Sequence, residues 1–214
     1  MKNMILVTLI SCLCLQTAYS QIDVGLKFGI GQSNVHYQQV GQTVLANQFK
    51  PLIGFEGGIA LQHKISKSKF YLCSDILFSS IGARNYVPEG NIPIDPNDPN
   101  SPKPSQTWDE RTNYISIPFF IKYDFFDFLN VQGGLNNGFL LNQPNKSSLG
   151  VWKTYDPGFL LGMNIKISHF ELGVNYKQGL MNIRKENDNN KDFKFLNELL
   201  VFGVSYKIIH QKDL

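Results

Sequence analysis

The sequence lacks long hydrophobic runs, paired cysteines beyond residue 20, and a large excess of charge of either sign. Beyond that point no stretch of about 18 apolar residues occurs, which excludes a bundle of membrane-spanning helices. Two of the 3 cysteines, Cys12 and Cys14, precede residue 20, so only Cys73 follows and no intramolecular disulfide can form there. A formal net charge of +3 is too small for a nucleic-acid-binding surface.

Charged residues are scarce as a class. They make up 17% of the 214 residues, against roughly 25% in an ordinary soluble domain. Aromatic residues reach 13%, and there are 18 glycines. This composition is poorly suited to a water-facing surface, and the length allows one barrel or sandwich domain. Soluble folds and membrane β-barrels are left for the sequence pattern to distinguish.

The N-terminus is typical of a secreted precursor. A basic residue, an apolar stretch and a small-x-small pattern ending at Ser20 predict a signal peptide over 1–20 that is cleaved before Gln21. The remaining residues, 21–214, would then form one domain, which is predicted to be a β-barrel. An alternative interpretation is a lipoprotein box that ends at Cys12. Export without disulfides requires another stabiliser, and a closed barrel supplies one because its ladder has no unpaired edge.

Apolar and polar residues alternate with a period of two in eight separate segments, and no segment with helical periodicity competes with them. The segments lie near 23–31, 50–63, 69–81, 113–125, 129–142, 159–168, 170–177 and 200–208. Long and short connections alternate between them, with the short ones near 64–68, 126–128 and 168–169. The pattern predicts an all-β, eight-stranded antiparallel up-and-down transmembrane barrel, with long extracellular loops and short periplasmic turns.

Alternation alone does not say which face is outside, so a soluble lipocalin-like barrel with an apolar interior is the alternative. The polar face carries many glycines, which suit the narrow interior of an eight-stranded barrel better than a solvated surface. Aromatic residues lie near both ends of the apolar face, as in a membrane girdle. They are Phe70, Tyr123, Phe125, Phe170 and Tyr206 near the short turns, and Phe139 and Tyr155 near the long loops.

Several motifs resemble those of a known family. They are Gly25-Leu26-Lys27-Phe28-Gly29, Gly54-Phe55-Glu56-Gly57-Gly58, Tyr114-Ile115-Ser116-Ile117-Pro118 and Tyr176-Lys177-Gln178-Gly179-Leu180. The sequence is similar to the PorT-like outer-membrane β-barrel proteins over nearly its whole length after residue 20. It departs from them in a proline-rich insert and at its C-terminus. The resemblance implies a Gram-negative outer-membrane location, with membrane lipid and the barrel-assembly machinery as partners, and transfers no catalytic residue.

Charged residues on the polar faces of the strands are predicted to point into the barrel lumen. This lumen charge set comprises Lys27, Glu56, Asp75, Lys122, Asp124, Glu171 and Lys177, together with Asp23, Lys166 and Lys207. An unpaired ion in a narrow lumen costs several kcal/mol by order of magnitude. We therefore expect a network of ion pairs that plugs the barrel. A thin polar conduit for ions or small solutes is the alternative hypothesis.

Residues with catalytic or metal-binding chemistry form no strong motif. The four histidines are predicted in a long loop, a strand end, a tight turn and the tail, without metal-ligand spacing; they are His36, His63, His169 and His210. Ser33 with His36 and a loop acid could form a lipid-modifying enzyme site, which is a third hypothesis. Closely spaced Asp95 and Asp98 lack the pattern of an EF-hand. The sequence predicts a non-enzymatic barrel without cofactors, whose loops bind any partner.

Overall fold

Each segment with a period of two forms a strand in the computed structural model, which describes residues 22–39, 49–65, 68–86, 107–142, 152–183 and 193–209. In this part of the chain, no helix has the length and apolar character needed to cross a membrane. The strands are β1 (Ile22–Gln39), β2 (Phe49–Lys64), β3 (Phe70–Tyr86), β4 (Thr107–Ser116), β5 (Phe119–Phe126), β6 (Leu129–Asn142), β7 (Tyr155–Ile167), β8 (Phe170–Gly179) and β9 (Phe193–Ile209).

The strands are antiparallel and close into a ring. Strands that follow one another in the chain pair, except β4 and β5, and β1 pairs with β9 to complete the circle. Strands β4 and β5 together occupy one position in the ring, because β3 and β6 each pair with both of them. The break falls at Pro118, which has no amide hydrogen for the ladder. The predicted eight-stranded up-and-down barrel is confirmed, with its fourth strand divided in two.

The register gives the barrel its tilt. A path across paired residues that starts at Gln32 of β1 returns to the same strand at Ile22, ten residues lower. It passes through Leu200, Tyr176, Leu161, Gly133, Ile121, Leu72 and His63. Such a stagger accompanies strand tilts of about 35–45°. Residues that are distant in the chain therefore meet at one level of the lumen.

Several strands are longer than the alternation predicts, so those predicted boundaries are wrong. Strand β1 continues to Gln39, β3 continues to Tyr86, and β9 begins at Phe193. The extra residues all lie at the end with the long connections. Inward residues there, such as Val35 and Phe195, are apolar, whereas outward residues such as His36 are polar. The alternation therefore no longer follows the pattern of the rest of the strand, although backbone pairing continues. The predicted alternation of long and short connections is confirmed, and its short members lie at 65–69, 127–128 and 168–169.

The outer face of the barrel is an apolar belt. Its exposed side chains include Leu26, Phe28, Ile30, Ile53, Leu72, Ile76, Phe119, Ile121, Leu135, Leu161, Met163 and Phe202. Aromatic pairs border the belt, with ring centroids 4.8 Å apart for Phe70–Tyr123 at the short-turn end and 5.4 Å for Phe139–Tyr155 at the other. A lipocalin-like barrel would place these apolar side chains inside, so that alternative is wrong.

A filled lumen as the candidate functional site

Ion pairs fill the half of the lumen nearest the short turns, which we call the short-turn half. Lys122 Nζ lies 2.6 Å from Glu171 Oε2, and Lys207 Nζ lies 3.5 Å from the other oxygen of that carboxylate. Lys27 Nζ contacts Asp75 Oδ2 at 2.8 Å. These side chains come from five different strands. The Lys122–Glu171 and Lys27–Asp75 pairs join strands that are not neighbours in the sheet.

The remaining members of the lumen charge set are also paired. Lys166 contacts Asp124 close to the short turns, and Lys177 contacts Glu56 near mid-height. Lys207 additionally lies 3.9 Å from Asp23. Every residue of the set predicted from the sequence thus lies in at least one ion pair. The side chains of Glu56, Lys177 and Glu171 are at least nine-tenths buried.

Amide side chains occupy the space between the ion pairs. Asn164 Nδ2 donates to Asn130 Oδ1 at 2.7 Å and to Gln132 Oε1 at 3.1 Å. Glycines on the paired strand make room for these amides, because a Cβ added at Gly173 would lie 1.9 Å from Asn164 Oδ1. The glycine-rich inner face therefore accommodates larger polar neighbours and does not leave an open pore.

The space left in this half is small. A cavity of about 40 Å³ lies among the charged residues and is lined by Lys27, Gln62, Asp75, Lys122 and Glu171, among others. A single water requires roughly 10–15 Å³ by the same measure. The cavity therefore holds at most a few waters. Above it, Cys73, Phe120 and Leu160 form a small apolar cluster across the lumen.

The half nearest the long connections, the long-loop half, is filled mainly by apolar side chains. One cluster consists of Ile81, Tyr114, Leu199 and Val201. A second closes the mouth and consists of Val35, Ala83, Trp152, Ile183 and Phe195. Most of these inward apolar residues were not predicted from the alternation. Their signal is a run of consecutive apolar residues, as in 199–202 and 159–161, which indicates a strand buried on both faces.

Two connecting segments complete the mouth. Trp152 precedes β7 and Ile183 follows β8, and both side chains are almost fully buried. The Lys153 amide donates to the Ile183 carbonyl at 2.6 Å, and the Ile183 amide donates to the Phe195 carbonyl at 2.9 Å. These backbone bonds extend the ladder beyond the strand ends. They hold the two apolar side chains over the lumen.

The proposed Ser33 and His36 pair does not form a catalytic arrangement. Ser33 points into the barrel, where its hydroxyl donates to the Gly82 carbonyl at 2.8 Å. His36 lies on the opposite face of β1 and contacts Glu198. The prediction that His36 lies in a loop is wrong, because β1 extends beyond it. The cleavage site, the Asp95 and Asp98 loop, and His210 lie outside the described residues.

The chain is similar to several solved structures at low sequence identity. Neisserial surface protein A matches at 14% identity and a TM-score of 0.47, over 86% of this chain and 97% of that one. OprG from Pseudomonas aeruginosa matches at 10% identity and a TM-score of 0.45, over 90% and 97%. Ail of Yersinia pestis, solved with the heparin analogue sucrose octasulfate, matches at 14% identity and a TM-score of 0.38, over 87% and 99%.

No curated protein matches the sequence. A family model described as outer membrane protein beta-barrel domain matches residues 16–185, which include all strands from β1 to β8. The belt of exposed apolar residues and the closed ring of strands agree with that match. The chain therefore belongs to the outer membrane protein beta-barrel domain family.

Proposed function

We propose that this outer-membrane barrel is a non-enzymatic structural or interaction protein whose lumen is closed by its own side chains. The observation that supports this proposal is that both halves of the lumen are filled, one by ion pairs and amides and the other by apolar clusters. A protein with such an interior presents its long loops as its available binding surface. The ligand or protein partner would bind there, outside the cell.

The topology and processing belong to the same proposal. The length difference between the connections at the two ends supports extracellular long loops and periplasmic short turns. Asn97→Cys should react with an impermeant thiol reagent on intact cells, and Ser66→Cys should not. Cys73 is buried and provides an internal negative control. Labelling of residue 66 alone would mean that the orientation is the reverse of the proposed one. N-terminal sequencing of the purified protein tests the processing, and the sequence should begin at Gln21.

Membrane lipid and the barrel-assembly machinery during insertion are the partners that this proposal requires, and nucleic acid is not among them. The motifs quoted above support assignment to the PorT-like members of the family. Proteins that co-purify with the barrel from native outer membrane, identified by mass spectrometry, would test for a loop partner. Recovery of the same partner after the segment 87–106 is deleted would contradict binding through that loop.

A planar-bilayer measurement tests whether the lumen is closed. The refolded wild-type barrel should show no steady ion conductance, because a passing ion would have to cross both the charged and the apolar layers. A narrow channel that passes through the cavity in the short-turn half is the second candidate. Steady wild-type conductance, with an ion selectivity that changes in Glu171→Gln while the fold is retained, would establish the channel and contradict the proposal.

A further inference from the structure

Asp156 differs from the carboxylates of the lumen charge set. It points inward from β7 and is 7% exposed. Its Oδ2 accepts a 2.7 Å hydrogen bond from Asn197 Nδ2. Each carboxylate of the lumen charge set has a lysine partner, whereas Asp156 has no ion-pair partner within the part of the chain that the structure describes. A buried carboxylate without a compensating cation is strongly unfavourable.

Unpartnered acceptor oxygens lie around the same cavity. Asp156 Oδ1, Asn197 Oδ1 and Asn136 Oδ1 are buried and have no hydrogen-bond partner among the described residues. The orientation of Asn197 is fixed, because its Nδ2 donates to Asp156 and to the Tyr114 hydroxyl at 3.3 Å. Its oxygen is thereby left without a donor. All three residues line one cavity of about 30 Å³, which Ser79 and Ser116 also line. Lys177 lies in the same lining, and its ammonium is paired with Glu56.

The backbone leaves room beside the unpartnered carboxylate oxygen. A Cβ added at Gly179 would lie 2.7 Å from Asp156 Oδ1, so any larger residue would displace that oxygen. The cavity volume exceeds the roughly 10–15 Å³ that a water or an ion of similar size needs. The site therefore combines an unpartnered carboxylate oxygen, two unpartnered amide oxygens and space for one small guest.

A cation fits this set of groups better than a water molecule. A water would donate to two of the oxygens and leave the carboxylate charge uncompensated in a narrow lumen. Oxygen-only ligands are the preferred partners of hard cations. One carboxylate balances one monovalent charge, whereas a divalent ion would leave a buried positive charge. We propose that Asp156, Asn197 and Asn136 form a sodium-binding site inside the long-loop half of the barrel.

The site is tested by urea unfolding of the full-length protein refolded into lipid vesicles. Sodium chloride is compared with choline chloride at equal ionic strength, because choline supplies the same screening but is too large for the cavity. A bound ion stabilises the folded state in proportion to the logarithm of its concentration above the dissociation constant. We expect the wild-type midpoint to rise with sodium and stay constant with choline, and sodium-23 resonance to broaden in the presence of the wild-type barrel.

Two variants locate the site. Asp156→Asn keeps the shape and should abolish both the sodium dependence of the midpoint and the line broadening. Asp109→Asn removes an exposed carboxylate that contacts Arg84 at 2.6 Å, and it should leave both signals unchanged. Equal midpoints in sodium and choline, stabilisation by millimolar calcium alone, or sodium dependence that persists in Asp156→Asn would each overturn the proposal. If Asp156→Asn does not fold, the proposal is tested by the wild-type protein alone, through its urea midpoints in sodium and in choline and through the line width of the sodium-23 resonance. Bilayer conductance enters neither measurement, so this site and the closed lumen can fail separately.

Discussion

The two halves of the lumen are filled in different ways by the same strands. In the short-turn half, lysines and carboxylates from distant strands form ion pairs, such as Lys122 with Glu171. In the long-loop half, large side chains such as Trp152 and Phe195 pack in an apolar cluster that fills the mouth. A paired charge depends on one particular partner, whereas an apolar layer depends on the total volume of its members. We expect the first half to fix the arrangement of the strands and the second to seal the mouth.

The charged half and the apolar half of the lumen oppose the passage of an ion in two different ways. A small ion that entered from the short-turn end would meet fixed charges of both signs, which already satisfy each other. An ion from the other side would meet an apolar constriction, where dewetting opposes passage. Neither barrier depends on the other, so a single substitution should weaken one without opening the whole lumen.

The largest effect should come from breaking the ion-pair network at Glu171. Glu171→Gln leaves Lys122 and Lys207 without their shared carboxylate, and removal of one partner from a buried pair destabilises by about 3–5 kcal/mol. The control is Glu198→Gln on the outer face, where loss of the contact to His36 should cost less than about 1 kcal/mol. Urea unfolding in lipid vesicles measures both. Similar losses in the two variants would mean that the lumen pairs are no more important than a surface pair.

The apolar mouth is tested by Trp152→Ala. Loss of a buried large side chain typically destabilises by about 3 kcal/mol or more, through lost transfer energy and the cavity that remains. Leu141→Ala removes an exposed apolar side chain from the outer face and leaves no internal cavity, so its effect should be smaller. Trp152→Ala should still not conduct in a bilayer, because the charged layer is intact. Conductance in this variant would show that the mouth is the only barrier.

The outer face of both halves is tested by Val174→Arg. Val174 faces outward in the middle of β8, where Arg against the bilayer midplane costs about 2–4 kcal/mol. Gln178→Arg lies on the same face of the same strand but nearer its end, so the penalty should be much smaller. Folding yield and urea midpoints in vesicles provide the comparison. Equal stability of both variants and the wild type would mean that this face does not contact lipid.

The sequence determines which side chains face inward better than it determines what they contact. A period of two places Lys122 and Glu171 on the inner face without further information. Their contact requires the ten-residue stagger of the ring, which no local pattern contains. The inward position of Leu160 was not predicted, because Leu160 and its outward neighbour Leu161 are both apolar and the alternation is lost between them. Asp156 was missed because a lone polar residue near a loop gives no signal until its neighbours are known.

The smallest effect should come from the tight turn that closes the short-turn half between β7 and β8. Ser168 has a φ of 56°, a conformation that disfavours residues with a side chain by about 1–2 kcal/mol. Ser168→Gly removes this strain but increases the entropy of the unfolded chain and loses the 3.0 Å contact with His169 Nδ1, so a net gain of at most about 0.5 kcal/mol is expected. Ser168→Val should lose about 1 kcal/mol, because β-branching worsens the strain. Urea midpoints of the two variants in the same vesicles should therefore lie on opposite sides of the wild type. If valine is tolerated as well as glycine, the turn is not held by the strands beside it, and the short-turn half is less rigid than its ion pairs imply.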